Sequence, residues 1–223
     1  MDMATTFESL TFLLSPILWL IVYIDMIRRG FKDRACGMPL FALAFNFAWE
    51  LLFGPLKGGA WDMQRIANTA WCAFDIAIVV TYFMYGRKDF PARYARRFFA
   101  WSMAAFAVAL LVVAGCIMSF GWDWGAAVCA FAQNLMMSVL FVDMLVRRNG
   151  IEGQSMTIAI CKWLGTLVPV LQAAYYTTDP LLIALGIGIF LYDVLYIVML
   201  YRKFRELGLN PFTRRPLQER KPA

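Results

Sequence analysis

In the stretch FALAFNFAWELLFG, residues 41–54, Asn46, Trp49 and Glu50 fall at i, i+3 and i+4. On a helix that spacing puts an amide, an indole and a carboxyl group on one face. Asn68, Trp71 and Asp75 repeat the theme at i, i+3 and i+7, and Tyr192, Asp193 and Tyr196 set two phenols around a third acid. Gln133, Asn134, Lys162, Trp163, Gln172 and Tyr175 extend the polar and aromatic set within otherwise apolar runs. The chain has no histidine, so acid–base chemistry falls to carboxyl groups, Tyr, Lys or Cys. Burial in apolar surroundings disfavours a charged carboxylate, which suits such a group to giving up a proton. For a single Asn or Trp, interhelical hydrogen bonding and packing explain the residue better than a site does. Glu50 and Asp193 are harder to explain that way, because a carboxyl group is a poor joint between helices unless its proton matters.

The elements that carry these residues are membrane helices. The 223-residue chain is 61% hydrophobic and 16% charged, with a mean hydropathy of +0.62. Apolar windows long enough to cross about 30 Å of hydrocarbon lie near 7–27, 38–56, 66–85, 98–119, 124–146, 156–177 and 180–201. They lack the alternation of barrel strands, so the expected fold is all-α, a single seven-helix transmembrane domain over 1–223 with a basic tail at 202–223. Eighteen of the 21 Lys and Arg residues fall in segments that share one face, with Lys57 and Arg65 opposite and Lys162 inside a helix. The positive-inside rule then puts the N-terminus outside and the C-terminus in the cytoplasm. The net charge of +6 reads as topology and contact with lipid headgroups, and no nucleic-acid partner is expected. The N-terminal MDMATTFESL is acidic and lacks a basic n-region, so the first helix is expected to be retained.

Within the chain, IVYIDMIRRG (21–30) resembles VLFVDMLVRRNG (139–150), and CAFDIAIVVTYFMYGRK (72–88) resembles FLYDVLYIVMLYRKF (190–204). Asp25 and Asp143, like Asp75 and Asp193, are separated by 118 residues. The shared offset suggests that helices 1–3 and 5–7 are parallel copies with helix 4 between them, an arrangement that leaves a cavity between the halves. Asp25 and Asp143 each have an arginine four residues on, Arg29 and Arg147, the spacing of interfacial ion pairs. The five cysteines show no CxxC spacing and read as packing residues.

NFAWE on the second helix, LYDVLY on the seventh and the length of the chain together resemble the small integral-membrane terpene cyclases. These serve fungal meroterpenoid and indole-diterpene pathways, with bacterial relatives acting on indole sesquiterpenoids. The resemblance implies that Glu50 and Asp193 are the two catalytic acids. It further implies protonation of an epoxide or olefin on a prenylated aromatic substrate, followed by carbocation ring closure. It places the protein in a bacterial plasma membrane or the endoplasmic reticulum. Substrate contacts are then expected from Asn46, Trp49, Asn68, Trp71, Asp75, Asn134, Trp163, Tyr175, Tyr192 and Tyr196. Indole and phenol faces attract a carbocation without attacking it. No DDxxD or DxDD run is present, so neither a metal nor a cofactor is expected. Helix lengths put Glu50 roughly 9 Å below the outer boundary and Asp193 roughly 12 Å above the inner one.

Other readings stay open at this point. A small-solute transporter of two three-helix bundles and a linker helix would share the topology and the repeat, although no Pro-Gln pair stands in helices 1 or 5. A retinal protein would carry its lysine on the seventh helix, where Lys203 lies only at the cytoplasmic end. A non-catalytic subunit or receptor has no feature against it, and the oligomeric state is open.

Overall fold

The computed structural model describes residues 3–148 and 150–217, with side chains from Leu14 onward. Arg220 and Lys221 of the basic tail, and the side chains of the acidic N-terminus, lie outside the described residues. The elements are α1 (Met3–Lys32), α2 (Leu40–Phe53), α3 (Met63–Tyr85), two short 3₁₀ segments (Gly86–Asp89 and Ala92–Arg97), α4 (Phe98–Arg147), α5 (Met156–Tyr176) and α6 (Pro180–Glu206). Among the described residues the only β pairing is a single bridge between Leu209 and Pro216. Helix starts follow from local sequence. Asp62 caps α3 through the Arg65 N–H, Ser155 caps α5 through Ile158, and Asp179 caps α6 just ahead of Pro180.

Several bounds differ from the expected ones: α1 runs on to Lys32 and α6 to Glu206, past the apolar windows that end at 27 and 201. α2 stops at Phe53, short of the expected 56, because Gly54 leaves helical geometry ahead of Pro55; its 14 residues are fewer than a full crossing needs. The expected helices at 98–119 and 124–146 are two halves of α4, broken at Gly121 with φ 76° and ψ 177°, a conformation open essentially only to glycine. The chain reverses there. A Cβ on Gly125 would lie 3.1 Å from the Cys116 carbonyl oxygen, so the halves 98–120 and 122–147 form a tight antiparallel hairpin. Among the described residues four helical stretches are long and apolar enough to cross a membrane, the hairpin counting as one of them, and Leu40–Phe53 is apolar but shorter.

The helices close into a ring. α1 packs on α3, α3 on α2, α2 on α4, α4 on α6, α6 on α5 and α5 back on α1. The second half of α4 fills the ring position, seen in Phe141 against Tyr196 and Leu135 against Gly188. The first half braces the outside, with Phe106 on Phe47 and Phe83 and Phe98 on Tyr82. Polarity is inverted relative to a water-soluble domain. Leu111, Met118, Ile76 and Leu191 are exposed on the outer surface, whereas Asn46, Glu50, Asp75, Lys162 and Asp193 are buried.

α1 and α5 are joined across the break that Pro169 makes in the α5 hydrogen bonding. Pro169 lies inside α5 and has no N–H, which leaves the Gly165 carbonyl without its usual helical donor. The Ser15 hydroxyl on α1 donates to that oxygen at 2.7 Å. Gly165 also lets α1 come close, since a Cβ there would meet Trp19 and Leu18 at 3.1–3.2 Å. At the basic end, Asp25 accepts from Arg28 at 2.7 Å and from the Ser155 hydroxyl at 2.5 Å and sits 3.5 Å from Arg29. Asp143 pairs with Arg147 at 2.8 Å. Both expected ion pairs are formed, and Arg148–Asp89 and Arg214–Asp33 tie the neighbouring loops at 2.6 and 2.7 Å.

Candidate active site

α1 sets Tyr23 inside the ring, α2 sets Asn46 and Glu50, and α3 sets Asp75, all of them at least nine-tenths buried. The Asn46 amide nitrogen lies 2.9 Å from Glu50 Oε1, 2.9 Å from Asp75 Oδ2 and 2.6 Å from the Tyr23 hydroxyl oxygen. The Tyr23 hydroxyl donates to Glu50 Oε1. The Asn46 nitrogen thus lies within hydrogen-bonding distance of both carboxyl groups and brings them together. Among the described residues no Lys or Arg hydrogen-bonds to the group, and Glu50 Oε2 and Asp75 Oδ1 have no donor. The arrangement resembles a dyad of carboxyl groups able to share one proton.

Glu50, Asn46 and Tyr23 form part of the wall of a cavity of about 230 Å³. Trp19, Trp49 and Trp71 supply indoles to the same wall, and Gln64, Gln133, Asn134 and Gln172 supply amides. The Trp49 N–H donates to the Ala126 carbonyl at 3.1 Å, so the polar edge of this indole is occupied by the backbone of α4. Tyr23 packs near-parallel to Trp71 and Phe74, with centroids 6.5 and 6.0 Å apart.

Asp193 belongs to a second buried cluster. Its Oδ1 lies 2.7 Å from the Lys162 ammonium, and that ammonium also donates to Asn134 Oδ1 at 3.0 Å and to Ser138 at 2.8 Å. The Asn134 amide donates to Thr166 at 3.2 Å. Asp193 does not line the main cavity. It faces a small crevice with Trp163 and Phe190 and reaches the cavity wall only through Lys162 and Asn134.

The remaining candidates are distributed elsewhere. Asn68 donates to the Phe53 carbonyl at 3.2 Å and accepts from Gln64, which fixes the turn after α2. Tyr196 is buried against Phe141, with its hydroxyl on Gln154 at 3.0 Å. Tyr192 is exposed on the outer surface, and Tyr175 is 72% exposed beside Tyr176. Asn46, Trp49, Glu50, Trp71 and Asn134 are thus brought to one cavity, with Asp75 directly behind it. Tyr23 and Trp19 are cavity residues that sequence reasoning missed. Their signal is the stripe Pro16, Trp19, Tyr23 at i, i+3 and i+7 on the first helix, obscured by the apolar residues around it. No set of three or more Cys, Asp and Glu is gathered to hold a metal ion among the described residues.

The family model for Pyr4-like transmembrane terpene cyclases matches residues 3–206. The chain belongs to that family. Its helices and this membership make it an integral membrane protein. It is similar to the Pyr4-family terpene cyclase mfmH of Annulohypoxylon moriforme, 28% identical over 156 residues that cover 69% of this chain and 64% of the relative. It is 26% identical to terpene cyclase pyr4 of Aspergillus fumigatus over 204 residues, 84% of this chain and 83% of that one. With terpene cyclase dpmpB of Macrophomina phaseolina it shares 29% identity over 176 residues, 75% and 71% of the two chains. The chain therefore spans slightly less than two thirds of the first of these Pyr4-family cyclases and most of the second. No solved structure matches it.

Proposed function

We propose that the protein is a membrane-embedded terpene cyclase that protonates the epoxide or olefin of a prenylated aromatic substrate and guides the resulting carbocation to ring closure. The observation that carries the reading is Glu50 at the wall of an indole-lined cavity, joined by the Asn46 amide to Asp75 behind it, with no cation hydrogen-bonded to the pair among the described residues. Family membership favours this over a small-solute transporter.

The step is redox-neutral. The O–H bond of the Glu50 carboxyl group breaks as the proton moves to the epoxide oxygen, the C–O bond opens at its more substituted carbon, and a double bond of the chain attacks that carbon. The negative charge left behind is spread over Glu50 and Asp75, with hydrogen bonds from Asn46 and Tyr23 already in place to receive it. Trp19, Trp49 and Trp71 present faces to the migrating cation. A proton lost from carbon at the end returns to the carboxyl pair and restores the starting state. Asp193 acts through Lys162, whose ammonium it neutralises and whose grip on Asn134 it fixes at the cavity wall.

In the proposed topology the chain crosses the bilayer seven times, α2 completing its crossing with the chain at its two ends and the hairpin in α4 counting twice, with the N-terminus outside, the C-terminus in the cytoplasm and 1–223 as one domain. The ring order supports a 3+1+3 repeat, because α1, α3 and α2 follow one another just as the second half of α4, α6 and α5 do.

The test is turnover of an epoxyprenyl indole by protein in nanodiscs. Glu50→Gln keeps the shape and removes the transferable proton, so cyclisation should fall by at least the roughly 10²–10⁴-fold attributed to general acid catalysis. Asp75→Asn should slow it as well, with both variants remaining monodisperse in detergent. Undiminished turnover in Glu50→Gln removes the proposed acid.

A further inference from the structure

Behind Gln133 lies a second cavity of about 200 Å³, between α2 and the two halves of α4. Phe45, Val113, Cys116, Val128, Cys129 and Met136 line it, so apart from Gln133 its walls carry no amide, hydroxyl or charge. Gln133 lines this cavity and the acid-bearing one alike. Its side chain is 8% exposed, and Oε1 is buried with no donor among the described residues. Val112 and Ala132, also on the wall of the second cavity, are exposed on the surface the helices turn to the bilayer.

We propose that this second cavity is the subsite for the isoprenoid chain, entered sideways from the bilayer, with Gln133 as the movable partition in front of the acid chamber. The inference rests on the cyclase reading above. Small-molecule pockets commonly enclose about 300–1,000 Å³, and the acid chamber alone falls short of that range while the two cavities joined come within it. The chemistry of the two spaces also divides as the substrate does. A terminal epoxide needs the carboxyl group and indole faces of the first, whereas the hydrocarbon nearer the aromatic head needs only the apolar walls of the second. A polyprenyl compound dissolves in lipid, so a side port opening on the hydrocarbon lets its epoxide end enter first while the aromatic head trails toward the bilayer. Displacing the Gln133 amide breaks no hydrogen bond at Oε1, because that oxygen holds none among the described residues.

Cys116 and Cys129 make the cavity directly readable. Full-length protein in nanodiscs is alkylated with a small lipophilic maleimide, and each cysteine is followed by mass spectrometry with Cys161 on α5 as internal control. The probe is an indole carrying a fully saturated farnesyl chain, which no acid can cyclise, and its binding is followed independently by quenching of tryptophan fluorescence. The expected result is several-fold slower alkylation of Cys116 with probe present and an unchanged rate at Cys161. Quenching without protection of Cys116 overturns the subsite and leaves the cyclase reading standing. Absence of any binding removes both. Equal protection by oleic acid at the same concentration also overturns the proposal, because it marks the cavity as a general lipid groove. As a second arm, Ala132→Trp narrows the port at an exposed position where folding is not at risk. It should raise KM for an epoxyfarnesyl indole by about tenfold, the low end of the range for one lost methylene contact, and raise that of a single-prenyl epoxide, which passes the same port without filling the subsite, several-fold less. An unchanged ratio of the two KM values overturns the proposal.

Discussion

The Lys162–Asp193 pair shows how one contact changes the reading of a residue. With both side chains at most 2% exposed and the charged atoms 2.7 Å apart, each group compensates the cost of burying the other. Removing one alone leaves an unpaired buried charge, so Lys162→Met should lower stability by about 3–5 kcal/mol. The double variant Lys162→Met/Asp193→Leu should recover most of that loss, since apolar replacements of a buried pair are often tolerated. Thermal unfolding in detergent checks both expectations. If Asp193 works by holding Lys162 on Asn134, the stable double variant should still cyclise poorly, whereas full activity would reduce the pair to a structural joint. Glu50 is different in kind. Its hydrogen-bonding neighbours are a phenol and an amide, and among the described residues no cation hydrogen-bonds to it.

At the level of the helices, cavity shape depends on how α1 and α5 meet. Pro169 removes one helical hydrogen bond, Ser15 replaces it from the neighbouring helix, and both residues line the main cavity. Ser15→Ala should therefore cost about 1–3 kcal/mol, the penalty of a buried carbonyl left without a donor. Restoring the helical donor with Pro169→Ala should make the same Ser15→Ala change nearly neutral. A double-mutant cycle by chemical denaturation measures the difference, and additivity of the two substitutions would show that the cross-helix bond carries no weight. The break in α4 has an equally local cause in Gly121, whose positive φ reverses the chain and brings Gly125 onto Cys116. That reversal creates the space between the hairpin and α2 in which the second cavity lies.

For the whole molecule, the distribution of basic residues predicts the orientation. A cysteine placed at Lys57 should react with an impermeant reagent from outside, and one placed at Arg93 only after the membrane is opened. The reverse pattern would invert every depth assigned to the acids. The proposed repeat makes a separate prediction for an experimental structure. Residues 3–85 should superpose on 122–206 by rotation about the membrane normal, bringing Asp25 onto Asp143 and Asp75 onto Asp193 within about one helical turn, ~5 Å. Even then the two halves differ chemically. Asp75 meets a carboxyl group through Asn46, while Asp193 meets an ammonium, so one half of the ring holds the proposed proton donor and the other an ion pair.

By itself the sequence determined the all-helical class, most of the helix boundaries and the candidate acids Glu50, Asp75 and Asp193. Those follow from local causes: long apolar windows, capping residues such as Asp62, Ser155 and Asp179, and the rarity of carboxyl groups in such windows. It also placed Asn46, Trp49 and Glu50 on one face, because helical spacing alone decides that. Only the tertiary structure decided which acid meets which partner. Asp75 stands 25 residues from Glu50 and Lys162 stands 31 from Asp193, and no periodicity within one helix encodes a contact between two. The same holds for Tyr23, whose hydroxyl reaches Glu50 only because the ring closes, and for Gln133, which divides two cavities because of where the α4 hairpin lies against α2. A buried charge and a buried proton donor obtain their meaning from neighbours within about 4 Å, and in a bundle those neighbours come from other helices.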